Sequence, residues 1–218
     1  MRIYCLYTPS HERMFKEFFR PSLVLMNYDV IVRKIPQISR TGEYRSPGFS
    51  ETTKCKVEMW IEAIEKAQED GEEYLVFSDV DIQFFGNFRP ILEKAIQDCD
   101  IVAQSDAANK TYYCTGFFIC RANDAILTAF RATLDRIDIK TDDQYAFNQH
   151  GQYAAPLRIK CLNQQQFWSP RVMWNPTMGL KFNPYKIIMH HANWTYGIWN
   201  KEIMLDRVRQ IMKQARKK

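Results

Sequence analysis

The sequence predicts an α/β domain whose mainly parallel sheet is covered by helices on both faces. Three observations point there. Short apolar runs alternate with helix-length amphipathic runs through the first part of the chain. The run "YLVF" at 74 to 77 is apolar without interruption, as central parallel strands are. The 218 residues show no internal repeat and no linker, which suits one domain with a sizeable core.

The elements follow in order. "RIYCLYTP" is a short strand that ends at Pro9. "HERMFKEFFRPSLVLM" reads as a helix with Met14, Phe15, Phe18 and Phe19 on one stripe. "DVIVRKI" is a second strand. Residues 36 to 50 hold two Pro, two Gly and several hydroxyls, which predicts a mobile loop. "SETTKCKVEMWIEAIEKAQED" is a long helix with Val57, Trp60, Ile61, Ile64 and Ala67 on its apolar face, ended by Gly71. "YLVFSDVDIQFF" then reads as one strand, "RPILEKAIQ" as a helix, "DIVAQS" and "TGFFICRA" as strands, and "NDAILTAFRATLDRI" as a helix. A further helix starts in "TDDQYAFNQH", with Thr141 as its cap. Beyond residue 155 come short strands and loops, then "YKIIMHHANW" and a terminal helix.

Composition narrows the function classes. Apolar residues make up 46% and charged residues 25%, an ordinary globular balance. The net charge is +5, with much of the excess in "RVRQIMKQARKK"; no basic stripe crosses the domain, so nucleic acid is not an expected partner. The six cysteines lack C-x-x-C spacing and several sit in apolar runs, which reads as reduced, packed thiols. No window approaches a membrane span and the N-terminus lacks a signal-peptide core, so the expected location is cytoplasmic, or the chain is an excised catalytic domain. Asn109-Lys110-Thr111 and Asn193-Trp194-Thr195 match the N-glycosylation pattern, a match short enough to arise by chance.

The chemistry begins at Asp79, Val80 and Asp81. They fall at the carboxyl end of an apolar strand, where open α/β sheets bind ligands. In an extended segment the two acids would point to one side. Two ionised carboxylates beside a low-dielectric core are costly unless a cation compensates them. Oxygen ligands select a hard divalent ion, Mg²⁺ or Mn²⁺, which bridges naturally to a diphosphate. Three later clusters add to this. Thr115 and Gly116 stand before an apolar strand, where the glycine admits a ligand close to the backbone. Asp142, Asp143 and Gln144 stand at a helix start. His190 and His191 end a strand and are followed by Asn193, Gly197 and Lys201.

In this order, "FSDVDIQFF", "CTGFFICR", "DDQYAFN" and "HHANWTYGIWNK" resemble the motifs of a GT-A fold nucleotide-diphospho-sugar transferase, nearest glycosyltransferase family 77 and more distantly family 8, as in a viral or bacterial member. They span residues 77 to 201. The resemblance implies a mixed, mainly parallel sheet flanked by helices. It implies Mn²⁺ (or Mg²⁺) held by Asp79, Asp81 and His191 against the diphosphate of a UDP-sugar donor, with Lys201 also meeting the diphosphate. The chain departs from family 8 at Ile198-Trp199-Asn200, where that family has Lys-Pro-Trp. Asp143, Gln144 and Asn148 resemble the helix start beside the sugar, which implies catalytic roles for Asp143 and Gln144. Tyr7 and Thr8 resemble the segment that holds uracil and ribose. Lys54 and Lys56 both resemble the basic residue placed over the donor. Val80, Thr115, Gly116, Asn193 and Gly197 complete the implied donor site. The implied reaction is glycosyl transfer to a hydroxyl of a glycan or glycoprotein, with retention of anomeric configuration.

Two readings compete. A phosphohydrolase with an Asp-x-Asp nucleophile would use the first acid, yet its motif usually lies nearer the N-terminus and leaves the late histidines without a task. A catalytically silent nucleotide-sugar-binding module, or a plain structural domain, would keep the fold without the chemistry. "FWSPRVMWNPTMG" at 167 to 179 reads as an acceptor wall or as an aromatic plug.

Overall fold

The computed structural model describes residues 1–24, 26, 28–106, 111–169 and 182–217. Nine strands form two sheets among these residues. The larger has the order β2-β1-β3-β6-β5-β7: β1 (Arg2–Tyr7), β2 (Asp29–Lys34), β3 (Tyr74–Ser78), β5 (Ile101–Ser105), β6 (Tyr113–Arg121) and β7 (Ile159–Cys161). The smaller has the order β4-β9-β8: β4 (Ile82–Phe84), β8 (Phe167–Trp168) and β9 (Met189–His191). In the larger sheet β1/β2, β1/β3 and β5/β7 pair parallel, while β6 runs antiparallel to β3 and β5. The sheet is therefore mixed and mainly parallel.

Alternation along the central strands explains why they read as unbroken apolar runs. Ile3, Cys5, Val76, Phe117 and Ile119 face one core with Phe15, Phe19, Phe84 and Phe88. Tyr4, Leu75, Phe77, Phe118 and Cys120 face the other with Trp60, Ile64, Ile126, Phe130 and Phe147. Both sides of the sheet are buried, so both positions of the two-residue repeat are mostly apolar. The second core rests on α3 (Phe49–Glu69), α5 (Asp124–Leu134) and α6 (Asp143–Gln149). Trp60 is its centre: its ring meets Phe118 edge-on at 5.1 Å and lies 5.0 Å from Phe130 and 5.9 Å from Phe77.

The segment after β1 is helical in three pieces: α1 (Glu12–Met14), a wide π-helical turn (Phe15–Phe19) and α2 (Arg20–Val24). Met14, Phe15, Phe18, Phe19 and Leu23 are all buried. Pro21 has no N–H for the Glu17 carbonyl one turn back. Arg209 supplies the donor, with Nη1 3.1 Å from Glu17 O and its guanidinium 4.5 Å over the Phe18 ring. Arg209 lies on α7 (Ile198–Ala215), so a proline in one helix fastens another. Buried Glu202 on α7 adds a 2.6 Å bond from Arg13. These contacts fix the helix that carries Lys201. α4 (Arg89–Ile96) covers the first core through Leu92 and Ile96.

The structure revises three local expectations. "YLVFSDVDIQFF" is two strands in two different sheets, because the chain bends at 79 to 81. Thr115 and Gly116 lie inside β6, not before it. Asp142, not Thr141, caps α6: it accepts from Tyr145 N at 2.7 Å. All six cysteines are free thiols, and no described helix is long and apolar enough to cross a membrane. Of the Asn-x-Thr matches, Asn109-Lys110 lies outside the described residues, as does most of 167 to 179.

Trp60→Ala should lower stability by about 3–5 kcal/mol. Urea unfolding should show the midpoint falling at constant slope; an unchanged midpoint would remove Trp60 from the centre of this core.

Candidate active site

Asp79, Val80 and Asp81 form the bend where the chain leaves one sheet for the other. Asp79 N donates to Gly116 O at 2.7 Å, and Asp81 O accepts from Ala192 N at 2.9 Å. The acid pair is thus tied to β6 on one side and to the end of β9 on the other. Val80 is buried between them and anchors the bend. The acids converge because the bend turns them together, not because they alternate along an extended strand. Asp81 is almost fully buried; the Asp79 side chain keeps 33% of its exposure, so it faces the opening.

β9 pairs Ile82 with His191 and Gln83 with His190. Alternation sends the two histidines to opposite faces. His191 Nε2 lies 3.2 Å from Asp81 Oδ1. His190 turns toward Gln83, and burial followed by the neighbouring His191 pushes it down to about 3, which keeps the ring neutral. One atom each from Asp79, Asp81 and His191 lie within 4.8 Å of one another.

Two ammonium groups face this cluster. Lys201 Nζ sits 2.7 Å from Asp81 Oδ2. Burial opposes a charge on Asp81, but Lys201 and His191 outweigh it and hold the carboxyl well below its usual range. Lys56 Nζ lies 2.9 Å from both Asp79 Oδ1 and Asp143 Oδ2, and 5.5 Å over the Trp60 ring. Burial works against its charge too, yet Asp143 and Asp79 raise the lysine above its ordinary value. Lys56 stands one helical turn before Trp60, on the buried face of α3. Lys54 is exposed and forms no ion pair with these acids, so of the two lysines it is Lys56 that the geometry brings to the cluster.

α6 supplies the opposite wall. Asp143 Oδ2 also accepts from Thr115 Oγ1 at 2.8 Å. Gln144 Oε1 accepts from Thr115 N at 3.3 Å, and its Nε2 donates to Asp106 Oδ2 at 2.9 Å. Asn193 Nδ2 donates to Asp106 Oδ1 at 2.9 Å. Asn148 clamps Tyr113 with a bond in each direction, both 2.8 Å, which fixes α6 against β6. Asp106 was missed in the sequence, although a carboxylate closing the apolar strand "DIVAQS" repeats the pattern that marks Asp79.

At the end of β1 the Tyr7 ring stacks on Phe15 with centroids 4.5 Å apart and is buried. It packs as part of the core at the edge of the site. Thr8 Oγ1 and Ser10 Oγ lie 3.1 and 3.0 Å from His11 Nδ1. Burial, then the Lys201 charge, lowers His11 to about 4, leaving a neutral imidazole beside the lysine. The loop at 36 to 50 carries hydrogen bonds of its own and one to its neighbour: Gly42 N donates to Ser39 Oγ at 3.1 Å, Arg40 N to Pro47 O at 3.2 Å, and Ser10 N to Gln37 Oε1 at 2.9 Å. Its tip carries Tyr44, which reaches Asp142 and lies 6.4 Å from the Tyr196 ring. Gly197 opens α7 with φ of 85°, next to Glu43 of the same loop.

The residues fit a divalent cation. Two carboxylates and an imidazole are a donor set for Mn²⁺, and for Mg²⁺ less well because of the nitrogen. Gly116 keeps the space: a Cβ there would lie 2.4 Å from His191 Cε1 and 2.8 Å from Asp79 Oδ2. Three carboxylates, Asp79, Asp81 and Asp143, face two lysines, and a divalent ion would meet the surplus negative charge. Gly116→Ala should therefore leave circular dichroism unchanged and weaken Mn²⁺ binding in calorimetry by at least about tenfold; native affinity in that variant would contradict the fit.

Comparison with known proteins gives the geometry a family. The family model described as nucleotide-diphospho-sugar transferase matches residues 20–205. A glycosyltransferase involved in glycosylation of the major capsid of PBCV-1 superposes with a TM-score of 0.65 at 11% identity, over 94% of this chain and 98% of that one. The galactosyltransferase LgtC, solved with donor and acceptor sugar analogues, superposes with a TM-score of 0.54 at 9% identity, over 98% and 96%. An active-site mutant of LgtC gives 0.55 at 9% identity. A search of curated proteins finds no match. At these identities the solved structures show the fold, which is GT-A. With the family model spanning most of its length, the chain belongs to the nucleotide-diphospho-sugar transferases and is a glycosyltransferase.

Proposed function

We propose that this glycosyltransferase moves a sugar from a UDP-linked donor to a hydroxyl of a glycan or glycoprotein, with Mn²⁺ (or Mg²⁺) and with retention of configuration. The observation that carries the metal-dependent reading is the convergence of Asp79, Asp81 and His191 beside Lys201. A divalent ion held there would offset charge on the leaving diphosphate as a Lewis acid.

The protein's own groups do the rest. Lys201 is poised to exchange its bond to Asp81 for one to the departing phosphate, a contact aimed at charge that grows in the transition state. Lys56 pins Asp143 and Asp79 in fixed positions, and Thr115 shares the same Asp143 oxygen. Asp143 and Gln144 face developing positive charge on the anomeric carbon. Both functional ends of Gln144 are already bonded, to Thr115 N and to Asp106, which favours an electrostatic over a nucleophilic role for it. Thr8, Ser10 and His11 line the base end of the donor. Asn193 and Gly197 shape the turn that brings Lys201 inward, and the Tyr44 loop shields the donor from water.

The acceptor would approach over the rim of Tyr44, Tyr145 and Tyr196, which are 44%, 51% and 71% exposed. Tyrosine faces suit the C–H surface of a sugar ring, and Asp142 beside them suits its hydroxyls. LgtC, which shares this fold, was solved in complex with donor and acceptor sugar analogues.

A screen of UDP-sugars with Mn²⁺ should show UDP release for at least one donor and loss of release with EDTA. Lys201→Ala should cut kcat by about 10²–10³. Asp143→Asn should lower transfer while calorimetric UDP affinity stays within a few-fold. UDP release that persists in EDTA would contradict the metal-dependent reading, and a parallel collapse of UDP affinity would make Asp143 a donor-binding group.

A further inference from the structure

β5 and β6 lose register where the site begins. Ala103 faces Phe118, but Gln104 faces Cys114, so Thr115, Gly116 and Phe117 have no opposite residue on β5. The irregularity lets β6 bulge toward Asp79, and it re-aims Gln104. Gln104 is fully buried, a costly place for an amide unless both its ends are bonded. They are: its Nε2 donates to Phe167 O at 3.2 Å and its Oε1 lies 2.8 Å from His191 Nδ1.

These two bonds settle each other's direction. A backbone carbonyl only accepts, so the amide NH₂ of Gln104 must face Phe167. The amide oxygen then faces His191, and it too only accepts, so Nδ1 must carry a hydrogen. An imidazole that ligates a metal is neutral; with its one proton on Nδ1, its Nε2 is left with the lone pair. That lone pair points at Asp81 Oδ1, 3.2 Å away, and beside Gly116, where the missing Cβ keeps Nε2 accessible. A cation must then lie between Nε2 and the carboxylate oxygen: the metal in the loaded site, or a second ring proton without it. His191 is buried, so bulk water does not take over the role of Gln104. Cys114 Sγ, 3.8 Å from Nδ1, is a far weaker partner.

We propose that Gln104 is a positioning residue that locks the His191 tautomer, so that Nε2 is the metal-ligating nitrogen. The inference rests on the metal reading above. Phe167 of the smaller sheet holds Gln104 of the larger one, and Gln104 holds the imidazole; the sheets are coupled through the ligand they share.

The test uses ¹⁵N-histidine-labelled full chain, read by NMR in excess Mg²⁺, with Mn²⁺ affinity read by electron paramagnetic resonance. Native protein should show His191 protonated at Nδ1 and bare at Nε2. Gln104→Leu should lose that single tautomer and bind Mn²⁺ about 10- to 100-fold more weakly. Gln104→Glu, which keeps an acceptor, should retain the Nδ1 proton and bind within a few-fold of native. A bare Nδ1 in native protein overturns the proposal, as does a folded Gln104→Leu protein with native Mn²⁺ affinity. If Gln104→Leu fails to fold, the native spectrum and the Gln104→Glu variant still decide. Native protein that shows the Nδ1 proton without any Mn²⁺ binding would reject the metal reading and leave the tautomer assignment standing.

Discussion

Asp79, Asp81 and Asp143 bring three carboxylates together at the carboxyl end of the central sheet, and the site depends on how their charge is met. Water meets it only at Asp79, since Asp81 and Asp143 are buried. Lys56 and Lys201 meet part of it, each held within 3 Å of its acid. In a low-dielectric setting such pairs are costly to form and costlier to break, because removing one partner strands the other. The arrangement therefore asks for further positive charge near Asp79 and Asp81, and it offers lysines that can transfer their contacts to an arriving anion. The metal-dependent transfer proposed above would use both properties.

Meeting that constraint takes residues from β3, α3, β6, α6, β9 and α7, and local features aim each one. The bend between two sheets joins Asp79 to Asp81. The slipped pairing of β5 and β6 brings Gly116 against His191. The carbonyl that Pro21 leaves unbonded captures Arg209 and so holds α7. Lys201 reaches Asp81 only because α7 is fixed at that angle. Backbone irregularities thus cluster where the chemistry is, while the regular cores on either side hold them in place.

Much of this was legible in the sequence, and the physical reasons are specific. Asp79 and Asp81 stood out because carboxylates rarely end an apolar strand without a purpose. His190 and His191 stood out because the chain has only four histidines and two of them adjoin. Lys56 could have been separated from Lys54: it shares the helical face of Trp60, whereas Lys54 shares that of exposed Glu58. Gln104 and Asp106 also left a signal, as polar residues at the end of a buried strand. Other features left none. Periodicity says which residues alternate but not which sheet a strand joins, so the split of 74 to 85 was invisible. Thr141 and Asp142 are both capping types, Asp the better one, and the geometry places Asp142 at the cap. The burial of Tyr7 against Phe15 was not legible, because it depends on a helix that follows it. The hydrogen bonds of the 36 to 50 loop rest on the Gln37 side chain, whose partner Ser10 lies outside the loop, and on the Ser39 hydroxyl, which accepts from Gly42 within it.

The central claim is that Asp79, Asp81 and His191 hold one divalent ion against the donor's diphosphate. Anomalous scattering from crystals soaked with MnCl₂ and UDP tests it most directly. The account predicts one strong manganese peak within bonding distance of all three side chains, with the diphosphate on its open side next to Lys201. A manganese peak elsewhere, or UDP bound with Lys201 still on Asp81 and no metal between the acids and His191, would contradict it.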